Sequence, residues 1–119
     1  MSKSKGWIGV DFDGTLAHYD HWRGSKHVGV PIPKMVNRVK RWLADGRQVK
    51  IFTARASDAD AIEGINTFCI EQFGKVLPIT DRKDKSMVQL WDDRAVGVVK
   101  NTGYAVGGEP NEATEDLHQ

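Results

Sequence analysis

The sequence predicts an α/β fold built on a parallel sheet, and two observations carry that expectation. Short apolar runs of strand length alternate with longer stretches of helical periodicity. That alternation is the pattern of parallel strands joined by right-handed crossovers. Three of the runs also end in polar, chemically capable residues: Asp11 and Asp13, then Thr53 and Arg55, then Asp92 and Asp93. Open α/β sheets bind ligands at the carboxyl ends of their strands, so these residues share one predicted rim.

The first run, Trp7 to Val10, is short, apolar and glycine-punctuated, as expected of a strand covered on both faces. It leads into Asp11-Phe12-Asp13-Gly14-Thr15. In an extended chain residues i and i+2 point the same way, so Asp11 and Asp13 can face one ligand together. Gly14 allows a sharp turn, and Thr15 adds a hydroxyl and a backbone N–H. Alone, the pentapeptide fits a turn as well as it fits chemistry. An EF-hand loop is a poor match, because positions 6 and 12 counted from Asp11 hold Leu16 and Trp22 in place of glycine and glutamate.

Residues 15–33 carry His18, His21, His27, Trp22 and two prolines without periodicity, and read as a structured loop or small hairpin flap. Pro33 suits a helix start; Met35, Val36, Val39, Trp42 and Leu43 form its apolar face, and Asp45-Gly46 ends it. Val49 to Phe52 is a second strand, ending at Thr53. Ser57-Asp58 caps a second helix that places Ile62, Ile65, Cys69 and Phe73 on one side and stops at Gly74. Val76 to Ile79 is a third strand, at an edge because of Pro78. Ser86 to Gln89 reads as a short helical turn, Val88 to Trp91 as a strand entering Asp92-Asp93, and Val96 to Val99 as a last short strand. The organisation is one domain over 1–106, followed by a flexible acidic tail over 107–119 with four acidic residues.

Composition narrows the function. A chain of 119 residues is large enough to bury a core without staples. With 17 basic and 16 acidic residues the formal net charge is +1, which gives no footprint for strong non-specific nucleic-acid binding. Cys69 is the single cysteine, so neither a disulfide framework nor a cysteine zinc site is available, and the three flap histidines lack cysteine company. No apolar run approaches a membrane span and the start lacks the apolar core of a signal peptide, so a soluble, cytoplasmic protein is expected.

An acidic set of Asp11, Asp13 and Asp92 with carbonyl oxygens suits octahedral, partly hydrated magnesium. Thr53 and a lysine near Asp84 would hold an anion beside it, which is what a phosphoryl group needs. At these residues the chain resembles the haloacid dehalogenase superfamily of phosphatases, over about residues 6 to 103. Asp11-Phe12-Asp13-Gly14-Thr15 looks like the first motif, Thr53 like the second, a lysine in Asp81-Arg82-Lys83-Asp84-Lys85 like the third, and Asp92-Asp93 like the fourth.

The resemblance implies a Rossmann-like three-layer sandwich around a central parallel sheet, with no large cap domain and the fourth-motif strand beside the first. It implies a magnesium-dependent phosphomonoester hydrolase with Asp11 as nucleophile, forming an aspartyl-phosphate, and Asp13 as general acid and base. Magnesium would sit on Asp11, the Asp13 carbonyl and Asp92, with Asp93 reaching it through water. Metal and lysine would keep Asp11 ionised while Asp13 holds a proton. Gly14, Thr15, Thr53 and Lys83 would bind phosphate, with Lys85 the other lysine candidate; Arg55 and Arg94 would clamp phosphate or leaving group, or else form structural ion pairs.

An open site suits a large substrate such as a phosphorylated nucleic-acid end, or an oligomer in which a neighbour covers it. Residues 92–99 are similar to the phosphatase half of polynucleotide end-repair enzymes, and a nucleotide or other phosphomonoester also fits. The competing classes are a phospho-accepting receiver domain, whose acceptor aspartate stands on a middle strand, and a non-catalytic binding module on the same fold.

Overall fold

In the computed structural model, residues 6–21, 23–24 and 27–109 are described. Trp22 and Lys26 of the flap, and residues 110–119 of the expected tail, lie outside them. The elements run β1 (Trp7–Asp11), α1 (Pro33–Ala44), β2 (Gln48–Phe52), α2 (Ala59–Phe73), β3 (Ile79–Thr80) and β4 (Met87–Trp91). The four strands form one sheet in the order β3-β2-β1-β4, every pair parallel. The fold is therefore α/β, a Rossmann-like sandwich about a parallel sheet.

Local chemistry explains most boundaries. Pro33 opens α1, where its missing N–H leaves nothing unsatisfied. Gly46, at φ +82°, lets the chain leave after Asp45. The Asp58 carboxylate caps α2 by accepting from the N–H groups of Asp60 and Ala61, and Gly74 ends that helix in the left-handed conformation.

Strand alternation divides the sheet into two faces. Ile8 and Val10 of β1 and Val49 and Ile51 of β2 join Met35, Val36 and Val39 of α1 and Ile65, Phe68 and Cys69 of α2 in one buried cluster. Burial pushes the Cys69 thiol up to about 11, as befits a core residue. Trp42 and Trp91 pack against this core edge to face, 5.3 Å apart, with the Arg38 guanidinium 4.7 Å above Trp91. The other face carries Trp7 and Gly9 of β1 and Lys50 of β2. Trp7 is buried there beneath Lys50, whose Nζ stands 4.5 Å from its ring, and its indole N–H donates to Asp84 at 2.8 Å. Asp84 belongs to residues 81–86, the short return from β3 to β4.

Three boundaries differ from expectation. The third strand is only Ile79–Thr80, because β2 pairs with it only through Ile51 and Phe52. The expected helical turn at Ser86 to Gln89 is strand: β4 begins at Met87, held beside β1 by the Trp7 N–H on the Ser86 carbonyl. Val96 to Val99 is not a sheet strand. It closes on itself as a small hairpin with one bridge, Val98 to Ala105, around a turn with positive φ at Asn101 and Gly103. The flap does behave as a small hairpin, with Ala17 bridged antiparallel to Pro31 and the His18 N–H on the Val30 carbonyl.

Candidate active site

β2 and β4 flank β1 on opposite sides, so the strand order reverses at β1 and a crevice opens at the carboxyl rim. Asp11 is the last residue of β1, while Thr53 and Asp92 directly follow β2 and β4. Carboxylate oxygens of Asp11, Asp92 and Asp93 come within 4.8 Å of one another. The Thr15 hydroxyl ties this group together. It lies 3.3 Å from an Asp11 oxygen and 3.2 Å from an Asp93 oxygen, and accepts the Asp93 N–H at 3.0 Å. One hydroxyl proton serves both carboxylates, so only one of them receives it at a time. The Arg94 N–H donates to Asp92 at 2.7 Å, fixing that carboxylate as well.

A cleft of about 470 Å³ opens beside the cluster, lined by Asp11, Phe52, Thr53, Ala54, Asp81, Asp92 and Arg94. Thr53 is buried; its N–H donates to the Thr80 carbonyl and its hydroxyl accepts the Arg55 N–H at 3.1 Å.

Asp13 stands apart from the three clustered aspartates. The strand ends at Asp11, and the Phe12 carbonyl then accepts the N–H groups of Thr15, Leu16 and Ala17, so the chain coils where i, i+2 alternation assumed extension. Phe12 anchors the coil by packing edge to face on Phe68 of α2, 4.9 Å between centroids. The Asp13 carboxylate is left buried and paired with Arg55 at 2.9 Å, and Arg55 also reaches the His27 carbonyl of the flap at 3.4 Å. Gly14, at φ +87°, makes the turn.

The electrostatics follow from this division. Burial, a hydrogen bond with Asp93 and the charges of Asp92 and Asp93 push the Asp11 carboxyl up to about 8, against the smaller opposing pull of Thr15. Burial also raises Asp13, but the Arg55 guanidinium draws it back. The expected division, an ionised Asp11 beside a protonated Asp13, thus depends on a cation at the cluster; in the protein alone Asp11 is the carboxyl driven toward its proton.

The other expected site residues divide in two. Thr53 and Arg94 line the cleft. Lys83 and Lys85 are exposed on the β3–β4 return, and neither lines it. Arg55 is a buried structural partner of Asp13, the ion-pair alternative for that residue. Among the described residues the flap histidines form no metal-holding group. Asp81 was not foreseen. It follows β3 as Thr53 follows β2, and the strand-end rule finds it once the third strand is moved to Ile79–Thr80.

No protein-family model matches the sequence, and no curated protein does. The fold is similar to a solved structure, that of a conserved protein coded by a locus of Bacteroides thetaiotaomicron. The TM-score is 0.58 and the identity 21%, over 89% of this chain and 82% of that one. At that identity the likeness shows a shared α/β fold over nearly the whole length of both chains.

Proposed function

We propose that the protein is a magnesium-dependent phosphomonoester hydrolase working through an aspartyl-phosphate on Asp11. The observation that carries this reading is the three-aspartate cluster at the rim, opening on a cleft shared by Thr53 and Arg94. The donor set fits a hard divalent cation: it is all carboxylate oxygen, and the burial that does most to raise Asp11, with the added charges of Asp92 and Asp93, is what a cation bound there would offset. Asp11, Asp92 and Asp93 would hold magnesium, which would supply charge neutralisation to the phosphoryl oxygens.

The chain's own residues do the rest. An Asp11 oxygen attacks phosphorus, the ester P–O bond breaks, and the leaving oxygen takes a proton from Asp13. Water then attacks the same phosphorus, giving its proton to Asp13, and inorganic phosphate leaves with Asp11 restored. Arg55 holds the Asp13 carboxyl in one orientation through both steps. Thr53 donates to a phosphoryl oxygen, and Arg94 takes the anion-stabilising part expected of Lys83.

Substrates in keeping with the open cleft are a nucleotide, a phosphorylated nucleic-acid end or another phosphomonoester. Among the described residues no helix is long and apolar enough to cross a membrane; the cytoplasmic location is part of the proposal. Magnesium-dependent release of phosphate from p-nitrophenyl phosphate, lost in Asp11→Asn, is the expected result. Stable phosphorylation without turnover would support the receiver reading, and neither phosphorylation nor turnover would leave a binding module.

A further inference from the structure

The two edges of the sheet are finished differently. At the β3 edge the strand is two residues long and follows Pro78, which blunts it against further pairing. At the other edge β4 spans five residues, Met87-Val88-Gln89-Leu90-Trp91, with no charge and no proline. Its one edge-protecting device is a register shift opposite Trp7 and Ile8 that leaves Val88 as an extra residue. Among the described residues the backbone hydrogen bond that links β4 to a residue outside the sheet is local, from the Met87 N–H to the Asp84 carbonyl at the start of the strand, and none runs along its outer edge. Val88 is 50% exposed, and the hairpin after β4 adds exposed Val96, Val98, Val99, Tyr104 and Val106. Scattered exposed valines need no explanation, but a run of them following an unpaired, uncharged edge does.

The flanks of β4 indicate what covers it. Before the strand the basic Arg82, Lys83 and Lys85 outnumber Asp81 and Asp84, and after it Asp92 and Asp93 outnumber Arg94. Parallel association with an identical strand would set like charges together, whereas antiparallel association sets the basic start of one copy against the acidic end of the other. Antiparallel self-pairing is also what a twofold axis produces. Centred on Gln89, it places Gln89 opposite its own counterpart, Val88 opposite Leu90, and Lys85 opposite Asp93. We propose that the outer edge of β4, together with the valine-rich hairpin that follows it in the chain, is the interface of a twofold homodimer whose two sheets join into one. The strand alone is too small. At about 17 Å it cannot supply the roughly 800 Å² per partner of a stable interface, so the hairpin valines complete the contact. The inference does not rest on the phosphatase reading, since an inactive protein would associate too; because the two readings share Asp93, association is measured in chelator, where no cation occupies that carboxylate.

Sedimentation of the full chain at high micromolar concentration tests it. The expected species is twice 13.3 kDa. Val88→Lys should weaken association by about tenfold or more. Lys85→Glu, at an exposed turn position where folding is not at stake, should do so increasingly as salt is lowered. Gln89→Cys should form an intermolecular disulfide on oxidation, because the remaining thiol, Cys69, is buried. A monomer at that concentration would overturn the proposal and give the edge to some other partner. A dimer that neither Lys85→Glu weakens nor Gln89→Cys cross-links would place the interface elsewhere and overturn it too.

Discussion

Asp13 and Arg55 stand 42 residues apart in sequence and meet at 2.9 Å, both almost wholly buried. Removing one member of such a pair strands the other charge in the interior. Arg55→Ala should therefore destabilise the fold by about 3 kcal/mol, measured by urea unfolding. A change below about 1 kcal/mol would mean that water or the flap solvates Asp13 instead. Asp11 gives a pH signature. Its folded value of about 8 lies above the ordinary 3.8, so in the metal-free protein protonation favours the folded state. That contribution is whole below about pH 4 and is lost as pH rises through about 8. Under the proposed function magnesium would compete for the same oxygens, so its effect on melting temperature should grow across that window. Asp11→Asn should flatten the pH dependence and raise the melting temperature in chelator at about pH 8. A magnesium effect independent of pH would argue that the ion does not touch Asp11.

Among the elements, those with their own local signals were the ones legible from sequence. Pro33 and Gly46 bracket α1, and Asp58 and Gly74 bracket α2, because caps and breakers act within a few residues of themselves. Asp58→Ala should cost about 1 kcal/mol in urea denaturation, with loss confined to the α2 cap; no change would mean that its two N–H partners find water instead. Strands lack such punctuation. Whether Val96 to Val99 pairs depends on what lies beside it, and valine-rich composition cannot tell a sheet strand from a hairpin closed through Val98 and Ala105. Ile79–Thr80 shifted for the same reason, and Asp81 was missed with it. The i, i+2 argument for Asp11 and Asp13 failed because strand periodicity says nothing about the residue at which the strand stops.

At the scale of the whole molecule, the rim was readable because parallel α/β topology brings every strand end to one side. Asp11, Thr53 and Asp92 are distant in sequence yet converge, as the order β3-β2-β1-β4 requires. What the topology could not convey was the path of residues 81–86. They run back to the start of β4, with Asp84 on the Trp7 indole, and leave Lys83 and Lys85 exposed. Arg94, one residue past the acidic pair, is the cation that lines the cleft. The central claim is that Asp11 becomes phosphorylated during turnover. Borohydride reduction of the protein during magnesium-dependent hydrolysis, followed by peptide mass spectrometry, tests this directly, because an aspartyl-phosphate is reduced to homoserine. Homoserine is expected at position 11, absent without magnesium or substrate; turnover with Asp11 unmodified, or reduction at another aspartate, would overturn the role of Asp11.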